Sequence, residues 1–369
     1  MADIHADVAI IGAGYYGCAA AIEIKTLRPE LEVVILERAN KPFSRASSTN
    51  QGQLHAGYMY SKFPDLAREC VQDARIFAQT YPEAVNEDAV TYYGIHKNSE
   101  ILSDVYEGFC RDVGLPLHRL SKASPDFFGP ALTAVYATEE KTFDNYKLQQ
   151  LLRAQLIASG VKLIPDFEAT SVQASKDMKI LSAADGRAIQ ARLLFNAAFA
   201  DVNALHKRSS LPLLPLEHAV FLHFLIKLPE QYKATGLIVV RGAYAALVPV
   251  GNVSGATHIF ASGRYRLLRS AAVNAPTEVT STEEINTRYQ EAVADAVDYM
   301  PALQIATLNS HTVGTRTNYV DPITNVAASR AVVLEDYGGL ANYHVIVGGK
   351  VTCLPEINKP LQQIVSKIF

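Results

Sequence analysis

Residues 7–37 read DVAIIGAGYYGCAAAIEIKTLRPELEVVILE, and this stretch decides the fold. Val8 to Ile11 is a short apolar run, as expected of a strand buried on both faces of a parallel sheet. Gly12, Gly14 and Gly17 follow at G-x-G-x-x-G spacing. Gly12 permits a tight strand-to-helix turn, Gly14 lets a pyrophosphate approach the backbone, and Gly17 lets the helix lie close on the sheet. The helix predicted over Cys18 to about Thr26 points its free N–H groups and the positive end of its dipole at that pyrophosphate. A second apolar run, Val33 to Leu36, ends in Glu37, about twenty residues beyond the last glycine, where a carboxylate accepts from ribose hydroxyls. Ala13, Tyr15 and Tyr16 in the turn, and Arg38 beside the acid, complete the expected lining. Strand, turn, helix, strand and acid in this order predict a dinucleotide site.

The remaining chain limits what that site serves. At 369 residues it is long enough for two domains, and 49% hydrophobic residues supply a large core. A net charge of −3 offers no general field for nucleic acid. No apolar run reaches the eighteen or so residues of a membrane span, and Asp3 and Asp7 stand where a secretory leader would be basic. Cys18, Cys70, Cys110 and Cys353 lack metal or disulfide spacing, so no metal is expected and a reducing, cytoplasmic setting is.

Residues 38–64, RANKPFSRASSTNQGQLHAGYMYSKFP, have neither helical nor strand periodicity. A loop this long inside an α/β chain is usually functional. Helices are predicted over Leu66–Tyr81, Glu100–Val113, Leu148–Ala158 and Thr282–Met300, the last capped by Thr282. Strands are predicted at Tyr92–Ile95, Pro116–Leu120, Val161–Ile164, Arg192–Ala198, Ala331–Leu334 and Tyr343–Val347, with a hairpin at Ser171–Ala174 and Lys179–Ser182. Between about Leu213 and Arg269 the runs HAVFLHFLIKL, GLIVVRGAYAALVPV and THIFASGRYRLL alternate as antiparallel sheet. Gly314 to Ser329 reads as loop, and Gly348-Gly349-Lys350 as the opening of the final helix. The fold class expected is α/β, a Rossmann-like dinucleotide domain (1–90, 140–205 and 305–369) with an inserted antiparallel-sheet substrate domain (91–139 and 206–304).

With these residues in view the chain resembles FAD-dependent oxidoreductases of the D-amino-acid oxidase type. The loop Ser48-Thr49-Asn50-Gln51-Gly52-Gln53-Leu54-His55-Ala56-Gly57-Tyr58 is similar to the N-S-G-x-x-H-x-G-x-x-Y segment of L-2-hydroxyglutarate oxidases. Gly314-Thr315-Arg316, Ser329-Arg330 and Gly348-Gly349-Lys350-Val351-Thr352 resemble the G-x-R, S/T-R and G-G-K-x-T of FAD-linked glycerol-3-phosphate dehydrogenases. Three departures stand out: Thr317 for a proline, Thr352-Cys353-Leu354-Pro355 for T-T-Y-R, and Ala198-Phe199 for the Thr-Gly that follows the Arg192–Ala198 strand.

The resemblance implies FAD, with its ADP on Gly12–Gly17 and Glu37. Ser47, Ser48, Thr49, Asn50 and Gln51 would line its pyrophosphate or ring edge, and Gly349, Lys350 and Val351 would reach its pyrimidine edge. A cation or helix N-terminus there stabilises a ring that gains negative charge on reduction. His55 would take the proton of a substrate hydroxyl as hydride leaves for flavin N5, or else hydrogen-bond its own loop. Tyr58 and Tyr60 would orient substrate or pack. Arg316 and Arg330 are the candidates for holding an anionic group through paired donors, with Arg264 and Arg266, sharing one strand face, as rivals. His258 and Tyr244 are further candidates for the cavity. The activity implied is hydride removal from a CH–OH carbon of a small anionic substrate, with oxygen or quinone as electron acceptor left open. Amino acid or secondary amine oxidation, or a non-catalytic flavin-binding role, stand as alternatives.

Overall fold

The computed structural model describes residues 4–121, 124–242, 244–253, 256–265, 267–271, 281–324 and 330–369. Arg266 and Ser329, named above for an anion site, lie outside the described residues.

Two sheets dominate. The first is built on five parallel strands in the order Tyr343–Val347, Ala188–Asn196, Ile4–Ile11, Val33–Leu36 and Lys162–Ile164. Val332–Leu334 adds an antiparallel edge, and the hairpin Ala169–Ser175/Met178–Ala183 pairs with the start of Ala188–Asn196. The strand alternation of Ile4–Ile11 explains its central place. Val8 and Ile10 enter the core shared with helices Tyr15–Leu27, Asn145–Ala158 and Asn358–Ile368, while Ala9 and Ile11 enter the core on the opposite face. Both faces are covered, as its uninterrupted apolar run requires.

Among the described residues the second sheet has nine strands. Leu216–Lys227 runs antiparallel beside Thr307–Tyr319 along its whole length. On its other side the sheet continues through Ala256–Ala261, Ala246–Val253, Thr235–Val239, Val90–His96, Leu132–Thr138 and Leu117–Arg119. One pair, Thr235–Val239 with Val90–His96, is parallel. Helix Thr282–Ala296 covers one face, packing Ile285, Tyr289, Ala292 and Ala296 with Leu222, Phe224 and Ile226. That parity leaves Phe221 and His223 on the other face.

Several expectations need correction. Gly314 to Tyr319 is the end of a strand rather than loop, with Gly314 opposite Phe221 and Arg316 opposite Ala219. Its Gly, Thr and Asn content reads as a turn, but pairing along Leu216–Lys227 overrides that local preference. Residues 307–319 thus lie in the second sheet, whereas the expected boundary at 305 assigns them to the first domain. Ser281, not Thr282, caps the helix that follows: its Oγ accepts from Glu284 N at 3.1 Å. Gly348-Gly349-Lys350 opens a 3-10 segment, Val351–Ile357, that runs on into Asn358–Ile368. Leu132–Thr138 adds a strand beyond those expected.

Candidate active site

A cleft of about 1080 Å³ runs between the sheets, at the upper end of the ~300–1,000 Å³ usual for small-molecule sites. Its floor is the carboxyl end of the parallel strands, where Ile11, Leu36, Ala197 and Ile346 line it. Open α/β sheets bind ligands there.

The glycine turn has the shape a dinucleotide needs. Gly12 has φ +98°, and a Cβ on it would sit 2.8 Å from the Ala197 carbonyl oxygen. A Cβ on Gly17 would lie 1.9 Å from the Gly12 carbonyl oxygen, which is why the helix can start so close to the strand. Above Gly14 the nearest obstacle is Ser47 Oγ at 3.4 Å, so the space a pyrophosphate would take faces the cleft. Ser47 Oγ accepts from Tyr15 N at 3.1 Å, at the helix start. Glu37 is buried, accepting from Ala13 N at 2.8 Å and Ala39 N at 2.9 Å, which ties the acid to the turn while it still lines the cleft. Tyr16, Arg38, Thr49, Asn50, Gln51, Gly349 and Val351 also line it. Ser48 does not: it is exposed, and its Oγ donates to the Arg45 carbonyl at 2.8 Å. Gly17 acts through packing, away from the cleft lining.

Phe199, standing where the resemblance leads one to expect glycine, keeps a left-handed backbone with φ +56°. The neighbouring turn is held by Ala198 N donating to Asn196 Oδ1 at 3.1 Å. The backbone conformation a glycine would take is therefore kept, at some strain, with the Phe199 side chain added to the cleft lining. Beyond it, Asp201 Oδ2 accepts from Arg38 at 2.9 Å and from Arg45. Because strand Ile4–Ile11 lies between Ala188–Asn196 and Val33–Leu36, this ion pair joins the two walls across the glycine turn.

At the other end of the cleft stand His55, Met59, Tyr60 and Lys350. His55 lines the cleft, and its Nδ1 is sealed from solvent with no hydrogen-bond partner among the described residues. Burial, and secondarily the Lys350 ammonium, pull its pKa down from the usual imidazole value to about 3, so the ring is neutral. Lys350 Nζ lies 4.1 Å from the Tyr60 ring centre and donates to Cys70 Sγ at 3.2 Å. Burial works against its charge, but Tyr60 and Cys70 outweigh that and raise its pKa. Its side chain thus leans toward helix Pro64–Thr80. Tyr58 is buried and donates to the Pro116 carbonyl at 2.6 Å, so it packs.

The second sheet supplies the roof. Phe221, His223, Ile238, Ala246 and residues 313–318 line it. Arg316 projects exposed over the Phe221 ring, 5.0 Å from its centre, and has no ion-pair partner among the described residues. Gln51 Nε2 and His223 Nε2 lie 3.2 Å apart, joining roof to loop. Sequence reasoning missed His223: alternation puts it on one face with Phe221, but that this face meets the cleft follows only once Leu222, Phe224 and Ile226 pack under the helix Thr282–Ala296.

Other candidates fall elsewhere. Arg330 does not line the cleft: its guanidinium pairs with Glu69 at 2.7 Å, with Asp73 at 3.2 Å and with Glu356. Both its terminal nitrogens are thus engaged by carboxylates, away from the cleft. Asp73, Cys353 and Glu356 bring ligand atoms within 4.8 Å of one another, but that guanidinium supplies the positive charge among the carboxylates. Arg264 lies in the turn after Ala256–Ala261 and pairs with Asp295 at 2.7 Å, so it is no strand-borne anion binder. His258 is buried against the Thr235 carbonyl at 3.0 Å, and Tyr244 stacks on His96; neither lines the cleft. No helix among the described residues is long and apolar enough to cross a membrane.

The family model described as FAD dependent oxidoreductase (DAO) matches residues 7–351. The mitochondrial L-2-hydroxyglutarate dehydrogenase of Dictyostelium discoideum is 33% identical over 86 residues, 23% of this chain and 18% of that protein. The match thus spans less than a fifth of that relative's length. Glycine oxidase from Geobacillus kaustophilus superposes with a TM-score of 0.77 at 18% identity, covering 99% of this chain and 96% of that one. L-alpha-glycerophosphate oxidase from Mycoplasma pneumoniae, with FAD bound, gives 0.74 at 14% identity, covering 98% and 95%. At such identities these likenesses show the fold. With the glycine cradle, Glu37 and the continuous cleft, the family match over nearly the whole chain decides the matter: this protein belongs to the FAD-dependent oxidoreductases of the DAO family, and its cofactor is FAD.

Proposed function

We propose that the enzyme removes a hydride from the CH–OH carbon of a small anionic substrate, a hydroxy acid or a polyol phosphate. FAD, when bound, supplies the hydride acceptor. The observation that carries the reading is the pairing, in one cleft, of His55, whose Nδ1 has no hydrogen-bond partner among the described residues, with Arg316, which has no ion-pair partner among them. An alcohol keeps its proton until it reacts, so its oxidation calls for a base, and a neutral imidazole is one. The anion of a bound substrate would raise the His55 pKa, strengthening the base when it is needed. Arg316 presents paired donors to a carboxylate or phosphate, and its stacking on Phe221 limits where they point. The relatives named for L-2-hydroxyglutarate and L-alpha-glycerophosphate act on compounds of these two kinds. The likeness to a glycine oxidase keeps amino acids as the second reading.

Arg316 provides the test of the anionic class. Arg316→Ala should raise the substrate dissociation constant roughly ten- to a hundredfold, the worth of one charge-assisted contact. Arg316→Lys should recover part of that, since a point charge lacks the paired donors. A neutral analogue, such as the amide or the dephosphorylated alcohol, should be almost unaffected in equilibrium titration. Equal weakening of charged and neutral compounds would place the anion site elsewhere.

A further inference from the structure

We infer that Glu140 is the positioning residue that aims His55 into the cleft. The inference rests on the proposal that His55 is the base. Glu140 is 1% exposed, lies on the connection between strand Leu132–Thr138 and the short strand Thr142–Phe143, and does not line the cleft. Its Oε1 accepts from Gln53 Nε2 at 2.6 Å and from the Tyr93 hydroxyl at 2.7 Å, and its Oε2 accepts from Ala56 N at 2.8 Å. Two of these donors bracket His55 in the chain, one on each side. The same segment is laced further, with Leu54 N donating to the Lys141 carbonyl at 3.0 Å and Phe143 N to the Gly52 carbonyl at 2.7 Å.

The choice of an acid here needs a reason, because burying a carboxylate without an ion pair is expensive. All three neighbours donate: a backbone N–H, an amide NH₂ and a phenol. An ionised carboxylate accepts from all of them, whereas a glutamine would turn its own NH₂ toward one donor and break the set. Burial pushes the Glu140 pKa up; the three hydrogen bonds and the Lys350 charge work the other way. Tyr93 lies on strand Val90–His96 of the second sheet, so Glu140 references the His55 loop to the sheet that forms the cleft roof. A misplacement of about 1 Å at a reacting group is enough to lose on the order of a hundredfold in rate.

The test is a double-mutant cycle on flavin reduction under anaerobic, substrate-saturating conditions, with amide exchange of the flavin-free chain as an independent readout. Glu140→Gln should slow reduction per bound flavin about ten- to a hundredfold and change the substrate dissociation constant less than about threefold. Combined with His55→Asn it should add almost nothing to the loss of His55→Asn alone, because both act on one proton transfer. In the flavin-free chain Glu140→Gln should speed exchange of the Ala56 amide and leave that of strand Ile4–Ile11 unchanged. Tyr93→Phe, which removes one donor and leaves the loop intact, should give a smaller, equally non-additive loss, and it serves if Glu140→Gln does not fold. Multiplying losses in the double variant, a parental rate per bound flavin, or unaltered Ala56 exchange would overturn the inference while leaving His55 as the base. A parental rate for His55→Asn alone would remove the base reading itself, and the inference with it.

Discussion

His55→Asn is expected to slow reduction of the bound flavin by about a hundred- to ten-thousandfold, the usual range for loss of a general base. Asparagine keeps a polar side chain of similar reach but does not take up a proton near neutral pH. The effect should fall on the rate at saturating substrate, with the dissociation constant changed by less than about threefold, because the interaction lost matters mainly in the transition state. The structure supports this separation. His55 Nδ1 makes no hydrogen bond that holds the loop, and the loop is fixed through Gln53, Leu54 and Ala56. Anaerobic rapid mixing measures it. An unchanged reduction rate would make His55 a packing residue, and loss of flavin from the variant would make it a part of the cofactor cradle.

Gly17→Ala should be the most damaging added methyl among the glycines of the described residues. The added Cβ would sit 1.9 Å from the Gly12 carbonyl oxygen, a backbone atom with no rotamer to escape through. The helix from Tyr15 to Leu27 must then move away from the strand it follows, and the N–H groups at its start move with it. Ordinary overpacking costs about 1–3 kcal/mol. A backbone clash at this position should exceed that, weakening FAD binding at least about a hundredfold and lowering the thermal midpoint of the flavin-free chain. Gly14→Val makes the useful contrast. Gly14 has φ −81°, and a Cβ on it would meet only Ser47 Oγ, at an ordinary contact of 3.4 Å, so the flavin-free chain should keep most of its stability while FAD binding is lost. Flavin fluorescence titration and thermal unfolding of the three proteins separate the two effects. Equal FAD affinity in all three would contradict the assignment of the turn.

What the sequence disclosed is what is local. The glycine turn, its two strands and Glu37 fall within residues 7–37, and their spacing alone describes the parallel core and the dinucleotide cradle. His55 was visible through the resemblance of residues 48–58 to the N-S-G-x-x-H-x-G-x-x-Y segment, in a long polar loop directly after the ribose acid. What stayed hidden depends on partners far along the chain. Arg330 reads as an anion binder until the fold sets it against Asp73, 257 positions away, and Glu69. Gly314–Tyr319 reads as loop until Leu216–Lys227 pairs with it. Glu140 carries no motif, and its meaning arises only when Gln53, Ala56 and Tyr93 converge on it. His223 lay in a run whose parity showed a strand, but which face meets a cleft is decided by the helix Thr282–Ala296 on the other side.

The central claim, oxidation of an anionic CH–OH compound, is tested most directly by anaerobic mixing of the flavin-loaded enzyme with a matched panel. The panel sets small 2-hydroxy acids and a glycerol phosphate against amino acids of the same carbon skeleton and against the neutral ester or alcohol of each. Loss of the visible flavin band reports hydride arrival without regard to the electron acceptor. At least one anionic hydroxy compound should bleach the flavin, its neutral counterpart should do so markedly more slowly, and the matching amino acid should not. Bleaching by amino acids while every hydroxy compound leaves the flavin oxidised would contradict it.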